Sequence, residues 1–142
     1  MAGLFRQRTT LEQLNRRGVD TALSALGIVF TELGEDFLRG TMPVDTRTLQ
    51  PYGLLHGGAS VTLAETLGSM AANLCLEDNT REQAVGIEIN ANHLRAVTSG
   101  IVTGTARPVH VGRNTQVWDI RIEDSQGRAV CVSRLTLALR RS

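Results

Sequence analysis

Between Leu54 and Leu76 the sequence carries one fully charged side chain, Glu65. At helical spacing this run is apolar or small all round, with Val61, Leu63, Leu67, Met70, Ala71 and Leu74 spread over several faces. A helix of that kind is normally buried. An unpaired carboxylate is costly to desolvate, so Glu65 needs either partners or a chemical role. Its neighbours at three- and four-residue spacing, Val61, Thr62, Gly68 and Ser69, are small or modest in size and leave room for a second molecule to approach. The alternative, an acid pointing out of an exposed stripe, is the usual fate of a lone helical carboxylate. Here the polar residues on that face, Thr62, Ser69 and Asn73, carry no charge, so such a stripe would be narrow.

His56-Gly57-Gly58 leads into the run. Two glycines at a helix start leave backbone N–H groups unpaired and sterically open, where the helix dipole favours negative charge. Those amides could receive a carbonyl oxygen that gains charge during acyl transfer. A tight turn explains a double glycine equally well. Gly57 and Glu65 are eight residues apart, so on one helix their Cα atoms are separated by about 12 Å. The lean of the glutamate toward the helix start recovers only part of that distance. A reacting carbonyl must lie about 3 Å from both its donor and the attacking atom. One chain is therefore expected to hold an incomplete site, and two antiparallel helices in a symmetric dimer would complete two equivalent ones.

The elements that must position these groups can be read in order. Thr10-Leu11-Glu12-Gln13 is a capping box opening a short helix from Leu11 to about Arg17, stopped by Gly18. Asp20 or Thr21 caps another turn through Leu23 and Leu26, ended by Gly27. Ile28 to Leu33 and Phe37 to Met42 alternate around Gly34-Glu35-Asp36, a hairpin signal. Val44 to Tyr52 is a loop, and Leu76 to Gln83 a polar surface connection. Four strand-like runs follow: Ala84 to Arg95, Gly100 to Pro108, Thr115 to Glu123 and Ala129 to Leu139. In the first, Val85, Ile87, Ile89 and Ala91 alternate with Gly86, Glu88, Asn90 and Asn92. Their short connections predict an antiparallel four-stranded meander. One antiparallel sheet curled around one buried helix satisfies this order, an α+β architecture.

Bulk properties narrow the function classes. The 142 residues suit a single domain, 1–142, with a proper core. A net charge of +1 with interspersed signs argues against a general nucleic-acid binder. No run is long and charge-free enough to span a membrane, and the segment from Met1 to Gly18 lacks the apolar core of a signal peptide. Cys75 and Cys131 are distant, apolar in context and outside any CxxC pair, which fits two buried free thiols in a cytoplasmic protein. His56, His93 and His110 have no metal-ligand spacing with them, so no metal is expected. GxSxG, GxGxxG and P-loop motifs are absent.

Five stretches together carry a family resemblance over nearly the whole chain: TLEQLN, MPVDTRTLQPYGLLHGGASVTLAE, VGIEINANHLR, HVGRNTQVWDI and SRLT. They resemble the hotdog-fold thioesterases that cleave aryl- and acyl-coenzyme A, nearest to the branches working in menaquinone synthesis and siderophore proofreading. The resemblance implies a hotdog fold and hydrolysis of a CoA thioester to free acid and CoA. Glu65 is then nucleophile or general base toward water. Gly57 supplies the polarising N–H, with Gln50 in support; His56 orients that loop or contacts the thioester. Ser69 would position water or the acid, although a hydroxyl returning to the Glu65 carbonyl is an even alternative.

The resemblance also implies a CoA seat in two halves. One is Gly86 with His93, Leu94, Arg95 and Ala96; the other is His110, Val111, Gly112, Arg113 and Asn114. Arg95 and Arg113 can give charge-assisted bonds to phosphate. No cofactor is required, since coenzyme A is part of the substrate and a thioester already has a good leaving group. A homodimer that pairs again into a dimer of dimers is implied. An apolar acyl pocket is expected along residues such as Leu14, Leu67 and Met70. Two rival readings are a hotdog hydratase or dehydratase and a non-catalytic acyl-CoA binding domain; the acid behind HGG and the Gln50/Gly57 pair favour hydrolysis.

Overall fold

The computed structural model describes residues 3–142; Met1 and Ala2, included in the single-domain expectation, lie outside the described residues. Thr10 closes the expected capping box, its hydroxyl accepting from the Gln13 N–H while the Gln13 side chain accepts from the Thr10 N–H, both at 3.1 Å. That box starts α1 (Leu11–Arg16). Thr21 caps α2 (Ala22–Leu26), and Gly27 ends it in the left-handed region at φ 74°. A hairpin follows, β1 (Val29–Leu33) and β2 (Leu38–Pro43), then the long helix α3 (Gly57–Leu74). The chain ends with β3 (Glu82–His93), β4 (Ile101–Val111), β5 (Thr115–Glu123) and β6 (Ala129–Arg141).

All six strands join one antiparallel sheet in the order β1-β2-β4-β5-β6-β3, and α3 packs on it: the hotdog architecture. The expected four-stranded meander is corrected here. β4, β5 and β6 are successive neighbours, but β3 lies at the far edge against β6, and β4 lies against β2. The connection Leu94–Gly100 is short without joining neighbours. Three inter-strand steps amount to about 14 Å, within reach of seven extended residues. The link crosses the start of α3 instead, where the Leu55 N–H donates to the Val97 carbonyl and the Val44 N–H to the Gly100 carbonyl, each at 2.8 Å.

A second correction concerns β3. Its register against β6 slips between Gly86 and Glu88, leaving Ile87 as an extra residue that is 61% exposed. The expected unbroken alternation is thereby split: Ala84 is buried before the bulge, while Ile89 and Ala91 pack on the core after it.

The core lies between sheet and helix. Leu63, Leu67 and Leu74 of α3 meet Trp118, Ile120, Leu135 and Leu137, all fully or almost fully buried. Burying each such side chain contributes about 1.5–3 kcal/mol. The opposite face of α3, Val61, Thr62, Glu65, Ser69 and Asn73, is only half-buried. The expectation of a helix buried all round therefore fails for one chain, because a single six-stranded sheet covers only one side.

Two asparagines pin the sheet edges. Asn15 donates to the Phe30 carbonyl at 3.0 Å and accepts its N–H at 2.8 Å. Asn73 does the same for Ala84, at 3.0 and 2.9 Å. Arg6 and Gln7 donate their N–H groups to the Leu74 carbonyl, satisfying the C-terminal end of α3. No described helix is long and apolar enough to cross a membrane.

Candidate active site

The start of α3 is held by two backbone bonds and a side-chain cap. The His56 N–H donates to the Thr48 carbonyl at 2.8 Å, and the Gln50 N–H to the Leu54 carbonyl at 2.8 Å. His56 is the N-cap, and its Nδ1 accepts the Gly58 N–H at 2.7 Å. An accepting Nδ1 places the ring proton on Nε2. One of the two glycine amides expected to be open is thus used by the cap, which is how His56 orients the loop. The Gly57 N–H has no acceptor among the described residues.

Gln50 stands beside it. The Tyr52 N–H donates to its Oε1, leaving the Nε2 donors without a partner among the described residues. His93 packs on the bare Cα of Gly57: a Cβ there would lie 2.8 Å from His93 Nε2. Gln50, Gly57, Ser60, His93, Leu94, Arg95 and Ala96 share one cleft of about 360 Å³. Ser60, not foreseen in the sequence, is 1% exposed and lines it.

Glu65 lies elsewhere. It is half-buried, with no hydrogen bond or ion pair among the described residues. Its carboxylate lies against β3, where a Cβ at Gly86 would be 2.6 Å from Glu65 Oε2. Gly86 therefore makes room for the acid, and it does not line the cleft that holds His93–Ala96. Val61, Thr62, Glu65, Thr66 and Ser69 line a second cleft of about 340 Å³. The Ser69 hydroxyl makes no return bond to the Glu65 carbonyl; the Ser69 carbonyl accepts from Asn73 at 2.8 Å. The two clefts share no residue, so one chain presents donor and acid at separate places.

The two CoA-seat halves also stand apart. His93–Ala96 flanks the start of α3, whereas His110–Asn114 forms the β4–β5 turn beside its other end, where Gln116 Nε2 bonds the Ala72 carbonyl at 3.2 Å. Arg141 donates to the Arg113 carbonyl and to Asn114 Oδ1, holding that turn. A Cβ at Gly112 would collide with His110 Nε2, so this glycine accommodates the imidazole. Of the acyl-pocket candidates, Leu14 and Leu67 are fully buried core residues and cannot line an open pocket; Met70 is half-exposed.

Neither thiol lines either cleft. Burial pushes Cys75 up to about 12, against a weaker opposing pull from Arg6, and burial also raises Cys131. Among the described residues no group of three His, Cys, Asp or Glu is placed to hold a metal ion.

Comparison with known proteins identifies the family. The model of the Thioesterase superfamily matches residues 52–131. The chain is 54% identical over 136 residues to the proofreading thioesterase EntH of Cronobacter sakazakii, covering 96% of this chain and 98% of that one. It is 50% identical over 136 residues to the 1,4-dihydroxy-2-naphthoyl-CoA hydrolase of Escherichia coli, covering 96% and 98%. A crystal structure of a thioesterase from Haemophilus influenzae superposes with a TM-score of 0.94 at 52% identity, covering 97% of this chain and 95% of that one. The chain belongs to the thioesterase superfamily and is a thioester hydrolase.

Proposed function

We propose that the protein hydrolyses aryl- or acyl-CoA thioesters at a site shared between two copies of the chain. The observation that carries this reading is the separation of the Gln50/Gly57 cleft from the Glu65 cleft on one chain. Each has what the other lacks: a backbone amide and a carboxamide without an acid, and an acid without either. The name of one relative, the 1,4-dihydroxy-2-naphthoyl-CoA hydrolase, favours an aryl group.

In the shared site the Gly57 N–H and Gln50 Nε2 of one chain polarise the thioester carbonyl. Glu65 of the other chain either attacks the carbonyl carbon or takes a proton from the attacking water, with Ser69 Oγ positioning that water. The tetrahedral oxyanion collapses, the C–S bond breaks and the CoA thiolate leaves. Attack by Glu65 would leave a mixed anhydride that water then hydrolyses; general-base attack gives the acid at once. Both routes consume one water and yield free acid and CoA.

Two inactive variants test the sharing. Glu65→Gln is expected to lower kcat by on the order of 10³-fold or more while substrate analogues still bind. Gln50→Ala combined with Gly57→Ala should be similarly inactive. Unfolding and refolding the two together in equal amounts should restore about a quarter of wild-type activity, since half of the dimers are mixed and each keeps one intact site. Absence of rescue, with mixed dimers confirmed by mass spectrometry, would return both groups to a single chain.

A further inference from the structure

Ser60 brings a polar side chain without a partner into the Gln50/Gly57 cleft. It sits in the first turn of α3 and is 1% exposed. A buried serine in a helix usually returns its hydroxyl to the carbonyl four residues back, as Thr62 does to Gly58 at 2.9 Å. For Ser60 that carbonyl belongs to His56, and it already accepts the N–H groups of Ala59 at 3.0 Å and of Ser60 at 3.1 Å. A backbone carbonyl has two lone pairs, so its capacity is filled. The Ser60 hydroxyl makes no hydrogen bond among the described residues. Among those residues no fully enclosed side-chain nitrogen or oxygen lacks a partner. The small exposure left to Ser60 therefore falls on Oγ, which opens into the cleft. Burying a hydroxyl in that state costs stability and returns nothing to the fold.

We propose that Ser60 is a positioning residue: its Oγ accepts one N–H of Gln50 Nε2, which aims the other at the thioester carbonyl beside the Gly57 N–H. The inference rests on the role given above to Gln50. A carboxamide nitrogen carries two donors, and only one of them can serve the carbonyl. The bond from the Tyr52 N–H to Oε1 fixes which end of Gln50 is oxygen. The terminal torsion of glutamine is broad, so that contact alone leaves Nε2 loosely aimed. Ser60 carries the only hydroxyl among the side chains lining the cleft, and Arg95 offers donors alone. In a helix the Cα–Cβ bond leans toward the N-terminus. Ser60 Oγ therefore heads over the turn that begins at Gly57, three residues back on the same side. Hydrogen bonds of this kind often close only when substrate is bound; here the carbonyl takes one N–H of Gln50 and the serine takes the second.

The test is a double-mutant cycle in the full chain, read as kcat, KM and the denaturant midpoint. In Ser60→Ala, kcat should fall about tenfold, the worth of one hydrogen bond, with KM held within about twofold. The midpoint should hold or rise, because the variant no longer buries an unpaired hydroxyl. Ser60→Cys keeps a side chain of similar shape but accepts hydrogen bonds weakly, and should be slowed to a similar degree. In a Gln50→Ala background, Ser60→Ala should change kcat by less than about twofold, since no carboxamide is left to aim. An unchanged kcat in Ser60→Ala, a loss of rate that comes with a lower midpoint, or a further loss of about tenfold in the Gln50→Ala background would overturn the proposal. Gln50→Ala alone separates the two readings. If it hydrolyses thioesters as fast as wild type, the role given to Gln50 fails and takes this inference with it. If it is slow while Ser60→Ala is not, the inference about Ser60 fails by itself.

Discussion

At one edge of the sheet Asn15 exchanges two hydrogen bonds with Phe30; at the other Asn73 does the same with Ala84. The edges otherwise differ. β1 has five residues and a register slip between Phe30 and Glu32, and α1 packs against it. One side chain is enough to close so short an edge. β3 has twelve residues, and Asn73 occupies only the start of it. Beside it runs the half-buried face of α3 with Glu65. A short edge can be closed from within the chain, whereas a long one beside an unpartnered acid is suited to a second copy.

The largest expected effect comes from closing the long edge by force. Ile87→Lys places a charge at an exposed position of that edge, and a second copy paired there would bring a like charge beside it. Self-association should be lost in sedimentation, helical circular dichroism kept, and hydrolysis reduced by on the order of 10³-fold or more, since each monomer retains half a site. A fully active monomer would break the comparison. Gly86→Ala asks whether the same edge also serves the acid. Its new Cβ would meet the carboxylate oxygen of Glu65 at 2.6 Å, so the carboxylate must shift. A fall in kcat of about 10²-fold with unchanged assembly is expected; an unchanged rate would leave Gly86 with a role in packing alone. The smallest effect belongs to the short edge. Asn15→Ala should cost about 1–3 kcal/mol in denaturant unfolding, with activity and oligomeric state as in wild type. New higher-order assembly in that variant would show that β1 also needed guarding.

Much of this arrangement was legible in local pattern. The capping box at Thr10, the Gly27 stop, the hairpin around Gly34 and the helix holding Glu65 all rest on signals within a few residues of each other. Strand order does not. The link after His93 is short enough to suggest a neighbour, yet the curled sheet lets it cross the helix end and start β4 beside β2. The bulge at Ile87 is equally silent, because Val85, Ile87, Ile89 and Ala91 keep a perfect period of two in sequence while the backbone drops a step. At the site, the lone acid could be singled out because charge is rare in an apolar run. That His56 would use the Gly58 amide depended on a side-chain rotamer. The pairing of Arg141 with Glu82 was beyond reach for another reason: the two are far apart in sequence, and only strand register brings them together.

The placement of β3 also bears on the timing of folding. Its one strand neighbour in the chain, β6, is the last strand to be synthesised, with β4 and β5 made in between. Until Ala129–Arg141 emerges, β3 has no strand to pair with, and both of its edges stand open. The β1–β2 hairpin can close as soon as it is made, but the edge that carries the room for Glu65 cannot enter the sheet until nearly the whole chain exists. Non-local pairing of that kind is slow, because loop closure precedes any gain in contacts. A chain released before Ala129 would retain the acid, the donors and most of the core residues, and would have no sheet position for the strand that brings them into register.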